Sequence, residues 1–125
     1  MVDAGTATTI DFIDVNLHHR GGYIVPGLNM QVESLFSGTD RVKVDFSEEQ
    51  QSIAPGENTI DAVLRGILAS TIGLVAEGRD HIDKNGEVEL ALFLTGGYAK
   101  YLQRHFWPIV LMRPNLVLDG VGLAV

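Results

Sequence analysis

"GTATTIDFIDVNLHHRGGYIVPG", residues 5–27, decides how this chain folds. Thr6 to Ile13 is rich in threonine, isoleucine and phenylalanine, side chains that fit a pleated, half-buried surface, so a strand is predicted there. A second strand is predicted from about His19 to Val25, with "DVNLH" between the two as a hairpin loop and Pro26 closing the pair. An antiparallel hairpin therefore opens the sheet. Just ahead of it stand Asp3 and Gly5. With Thr6, Thr8 and Thr9 they could form a phosphate cradle, since glycine admits close backbone approach and threonine hydroxyls donate to phosphate oxygens. Threonine is equally a plain strand residue, and Asp3 could solvate a strand end as readily as hold a cation.

Outward from the hairpin, "GLNMQVESLFSG" carries Leu28, Val32, Leu35 and Phe36 at helical spacing and stops at Gly38. From Arg41 to Gly56 the chain turns charged and polar, with Glu48, Glu49, Gln50 and Gln51 in succession, which reads as a surface loop or edge segment. The strongest helix signal follows, from about Ile60 to near Ile82, with Asn58 or Thr59 as its cap and Asp61 in its first turn. Val63, Ile67 and Leu74 mark one apolar stripe and Leu64, Leu68 and Val75 another; Ala62, Gly66, Ala69 and Gly73 form a stripe of small residues. A helix apolar nearly all round is buried on several sides. Each glycine inside it costs up to about 1 kcal/mol relative to alanine, which close approach of another helix, in this chain or a second subunit, would offset.

"NG" at Asn85 and Gly86 turns the chain into a short apolar strand, "VELALFL". "TGG" leads from that strand into a helix, "YAKYLQRHF", and a final strand near Ile109 to Met112 ends at Pro114. "NLVLDGVGLAV" reads as a terminal helix or turn. Strands alternating with helices through glycine-rich turns give an α/β fold: a mixed sheet with a β-hairpin and packed helices, in one domain spanning 1–125.

At 125 residues a single core can close without staples. Apolar content of 46% with charged content of 20% argues against disorder and is slightly rich for a soluble monomer, so some apolar surface is expected to face a partner. A formal net charge of −7 lacks the basic field of a general nucleic-acid binder or of a protein held on anionic membrane, so neither partner is expected. The chain has no cysteine, hence no disulfide, zinc-thiolate site or thiol nucleophile. Arg65, Glu77 and Arg79 are expected to keep the longest apolar run short of the roughly 18 residues of a membrane span. Without a basic start and apolar core for export, cytoplasm is the expected compartment.

Two further stretches could carry chemistry. "LTGG" before a helix places backbone N–H groups and a helix dipole where a nucleotide could bind, and also serves simply to turn a chain. Asn58 and Thr59 start the long helix, where capping and ligand contact can share one position. His18, His19, His81 and His105 show no metal-ligand spacing, and no Ser–His–Asp arrangement is legible.

Taken in order, these stretches resemble the carboxy-terminal half of a type III pantothenate kinase, an actin-like kinase of coenzyme A biosynthesis. The resemblance rests on "DAGTATT" at 3–9, "GGYIVPGLNM" at 21–30, "GENT" with Ala62 and Gly66, "LTGGYA" at 94–99, and "PNLVLDGVGLA" at 114–124. It implies one lobe of an actin-like (ribonuclease H-like) ATPase fold with the amino-terminal lobe absent. It further implies that Asp3 ligates a monovalent cation, potassium or ammonium; that Gly5 and Thr6 contact ATP phosphates, with magnesium accompanying the ATP; that Gly96 and Gly97 line the adenosine side; that Thr59 touches pantothenate; and that the helix 60–82 builds a homodimer. Longer family members begin with a phosphate-binding hairpin, Asp-x-Gly-Asn-(Ser/Thr)-x-x-Lys, absent here. Their general base lies in a Gly-x-Asp-Arg segment shortly before the Asp3 strand, so no catalytic base is expected in this chain. "GTDR" at 38–41 has the residues but stands in the wrong place, and Tyr98 stands where many relatives have aspartate. Alone, the chain is expected to be inactive. The alternative is a non-catalytic, kinase-derived dimerisation or regulatory module.

Overall fold

A computed structural model describes residues 1–36, 46, 52–84, 91–106 and 109–112, the last four by backbone. The chain runs through β1 (Val2–Ala4), β2 (Ala7–Ile13), β3 (His19–Pro26), α1 (Leu28–Phe36), α2 (Thr59–Ile82), β4 (Ala91–Thr95), α3 (Ala99–Leu102), a 3-10 turn (Gln103–His105) and β5 (Ile109–Met112). The strands form one five-stranded sheet in the order β3-β2-β1-β4-β5. β1 and β2, and β2 and β3, pair antiparallel, whereas β1 with β4 and β4 with β5 pair parallel. The mixed sheet with an entering hairpin is as predicted. The segment "VDA" is a further finding: Val2–Ala4 is a strand in its own right, bonded on both sides at the centre of the sheet.

Alternation along the strands sets the core. Val2 and Ala4 of β1, Thr8 and Ile10 of β2 and Leu94 of β4 are buried, and Asp3, Thr9 and Thr95 fall on the alternate positions. On the helical side Leu28 and Val32 of α1 and Leu64, Ile67, Leu68 and Val75 of α2 are buried in the same cluster, and Thr71 of α2 is buried as well. Asn58, not Thr59, caps α2: its side chain accepts from the Asp61 N–H at 2.9 Å, and Asp61 also sits well beside the positive end of the helix dipole. Near the other end Gly78 lies under the edge-on pair Phe12 and Tyr23, whose ring centroids are 6.3 Å apart. A methyl group on Gly78 would stand 2.4 Å from Phe12 Cζ, so the absence of a side chain lets β2 and α2 meet.

By length and composition α2 passes for a membrane span, which corrects the expectation that its charged residues break the apolar run. The helix packs nonetheless against β2 and α1. Among the described residues, Gly66 and Gly73 have nothing within 4 Å of where a Cβ would stand, and with Ala62 they lie exposed along one side of α2. The helix predicted over "YAKYLQRHF" is shorter than its sequence suggests, because it tightens into the 3-10 turn after Leu102. The readings of 41–45 and 47–51, of "GTDR" and of 115–125 fall outside the described residues.

Candidate functional site

Asp3 is the middle residue of the middle strand, flanked in register by Thr9 of β2 and Thr95 of β4. Its carboxylate is half-buried, and among the described residues it accepts no hydrogen bond and enters no ion pair. A partly desolvated carboxylate without a donor is an open ligand for a cation. Two glycines define the space above it. A methyl group on Gly96 would lie 2.7 Å from Asp3 Oδ1 and 2.6 Å from the Ala4 carbonyl oxygen; one on Gly5 would lie 3.5 Å from Asp3 Oδ1. Gly96 also has φ +93°, a conformation that side chains rarely adopt.

The turn 95–97 is tied down onto β1. The Tyr98 N–H donates to the Ala4 carbonyl at 3.0 Å, and the Ala99 N–H donates to the Gly96 carbonyl at 3.2 Å. Two amides that the spacing offered to a phosphate are thus engaged within the protein. α3 is also only four residues long, so the expected helix-dipole contribution at this turn is corrected downward. The glycine pair divides its labour: Gly96 is crowded against β1, and Gly97 is exposed with open space where a side chain would be. Tyr98 is half-buried and packs its ring 6.2 Å from that of Tyr101.

Opposite this turn, the link between β1 and β2 is held by the Gly5 N–H on the Ala7 carbonyl at 3.2 Å and by the Gly27 N–H on the Thr6 carbonyl at 3.0 Å. The sequence reading gave Gly27 no role. A methyl group there would stand 2.2 Å from the Thr6 carbonyl oxygen, so only glycine lets the end of β3 brace the Gly5–Thr6 turn. The Pro26-Gly27 dipeptide was its available signal. Thr6 itself is exposed, leaving its hydroxyl open to a ligand.

Asp3, Gly5 and Gly96 are therefore brought together, with Thr6 and Gly97 on the two turns that flank them. Thr59 is apart from this group: it opens α2, exposed, and no hydrogen bond among the described residues joins it to the Asp3 cluster. No group of three or more histidine, aspartate or glutamate side chains able to hold a metal ion occurs among the described residues. A site at Asp3 would draw on one carboxylate together with hydroxyl and carbonyl oxygens, a donor set of the hard type.

The model of the type III pantothenate kinase family matches residues 1–80. The chain belongs to the type III pantothenate kinase family. It is 39% identical over 121 residues to the type III pantothenate kinase of Chromohalobacter salexigens, covering 96% of this chain and 43% of that relative. With the type III pantothenate kinase of Teredinibacter turnerae it shares 37% over 123 residues, covering 97% of this chain and 49% of the relative. The chain spans about half the length of the curated type III pantothenate kinases it matches. Among solved structures, one described as a conserved Baf family transcriptional activator from Campylobacter jejuni superposes with a TM-score of 0.70 at 27% identity, covering 98% of this chain and 54% of that one.

Proposed function

We propose that this chain is one lobe of an actin-like pantothenate kinase and supplies half of the cleft in which the γ-phosphate of ATP passes to pantothenate, a step of coenzyme A biosynthesis. The observation that carries the reading is the Asp3 carboxylate, unpartnered among the described residues and held between the Gly5 turn and the Gly96 turn. Phosphoryl transfer needs alignment of the attacking hydroxyl and neutralisation of the charge that develops on the phosphate oxygens. Asp3 holds a monovalent cation, potassium or ammonium, beside those oxygens. The Thr6 hydroxyl donates to a phosphate oxygen, with Gly5 keeping the backbone low enough for approach. Gly97, open to solvent, leaves room for the adenosine portion, and Gly96 fixes the turn that presents it. Thr59 contacts pantothenate from the start of α2. Magnesium accompanies the ATP.

No catalytic base is assigned to this chain; it comes from the other half of the cleft, with a second phosphate-binding hairpin. Two copies pair through α2, whose exposed Ala62, Gly66 and Gly73 admit a close neighbour. The assembly works in the cytoplasm. Positioning supplies most of the catalysis in this reaction class, so the chain alone turns over little or no substrate. The test is a coupled ADP-release assay on the chain alone and after mixing with the first half of the Chromohalobacter relative. Turnover that appears only in the mixture is expected. Inactivity despite association shown by gel filtration would overturn the reading.

A further inference from the structure

We infer that Arg65 is a positioning residue for the substrate side of the cleft, acting by strapping residues 55–58 onto the first turn of α2 and so fixing where Thr59 stands. This rests on the assignment of Thr59 to pantothenate.

Four contacts close a ring around that turn. Asn58 accepts from the Asp61 N–H at 2.9 Å through Oδ1 and donates from Nδ2 to Asp61 Oδ2 at 3.1 Å. The same Asp61 oxygen lies 3.6 Å from Arg65 Nη2. Arg65 then reaches back with Nη1, which donates to the Pro55 carbonyl at 3.3 Å. Inside the ring the chain lies flat on the helix: a methyl group on Gly56 would stand 2.3 Å from the Ala62 nitrogen and 2.5 Å from the Asp61 carbonyl carbon. The loop is thereby pressed down by Gly56 and tied by Arg65, with Asn58 and Thr59 at the point where it turns into helix.

Guanidinium suits this task. Its planar fork presents separate N–H groups to Asp61 and to Pro55 at once, which the single ammonium of lysine does not reproduce. The arginine and aspartate side chains are 28% and 25% exposed. An i,i+4 pair of this kind adds little to helix stability. What the ring contributes is geometry, because the loop bonded to Arg65 leads directly into the substrate-contacting residue.

The experiment titrates pantothenate by calorimetry into the chain mixed with the first half of the Chromohalobacter relative and follows amide hydrogen exchange over residues 52–61, for the wild type, Thr59→Val, Arg65→Met, Arg65→Gln and Arg65→Lys. Arg65→Met and Arg65→Gln are expected to weaken binding about tenfold, with faster exchange at the loop amides and an unchanged thermal midpoint. Arg65→Lys recovers part of the affinity. Wild-type affinity in both Arg65→Met and Arg65→Gln, with binding weakened in Thr59→Val, overturns the role of Arg65 alone. Absence of binding in the wild type, or full binding in Thr59→Val, overturns the assignment of Thr59 and the strap's purpose with it.

Discussion

At Gly96 two demands coincide on one residue, a positive φ and a backbone pressed against Ala4 and the Asp3 carboxylate. Gly96→Ala is expected to cost about 2–4 kcal/mol, from the strained φ and the overlap with backbone that cannot move aside. Gly97→Ala, facing open space, is expected to stay within about 1 kcal/mol. Urea unfolding of the two variants makes the comparison. The sequence offered these glycines as a pair with one role; nothing in "TGG" says which of them is crowded, because that depends on β1, distant along the chain. Thr8 is a second such case. It was read with Thr6 and Thr9 as one hydroxyl cluster, yet its side chain points into the core, fully buried, and its Oγ1 has no hydrogen-bond partner among the described residues. Thr8→Val keeps the shape and removes the orphaned hydroxyl, so it is expected to stabilise the protein by about 1 kcal/mol in the same assay. Alternation alone separates Thr8 from Thr9, but only once the register of the strand is known.

Among the elements, α2 was the most legible, since apolar residues sustained at helical spacing over 24 residues, behind Asn58 and Thr59 as cap candidates, leave little choice. β5 fell where predicted, at Ile109–Met112. β1 was less legible: a three-residue strand with a carboxylate at its centre carries too little periodicity to read, and its pairing on both sides is supplied by segments far away. The glycines of α2 are alike in sequence and unlike in place. Gly78→Ala drives a methyl into Phe12 and Tyr23 and is expected to destabilise by about 1–2 kcal/mol, the overlap outweighing the gain in helix propensity. Gly66→Ala and Gly73→Ala meet nothing among the described residues, so in a monomer each should stabilise by up to about 1 kcal/mol. If two copies pair along this side, the same methyls push the helices apart. Analytical ultracentrifugation of the double variant is then expected to show a weakened dimer, while thermal melting at dilution shows a more stable subunit.

For the molecule as a whole, 16 acidic against 9 basic side chains make a self-repelling envelope that any salt will ease. The cation site proposed at Asp3 would add something that screening does not. At equal ionic strength, potassium chloride is expected to raise the melting temperature above that in choline chloride, and Asp3→Asn to abolish the difference; a ligand held at a hundred times its dissociation constant contributes about 2.7 kcal/mol. Equal melting in both salts would remove the cation from the site.

The central strand also has a kinetic meaning. β1 finds β2 within a few residues along the chain, but Val2 meets Leu94 and Asp3 meets Thr95 only after the long intervening segment with both of its helices has been gathered in. Local hairpins close quickly, whereas pairings between distant segments pay their loop entropy first and form slowly. The β1–β2–β3 meander can therefore be complete while Gly96 is not yet in place beside Asp3. The cation site proposed at Asp3 would be complete only once the β1–β4 ladder has formed, so binding there would report on molecules in which that pairing is made and leave the others dark.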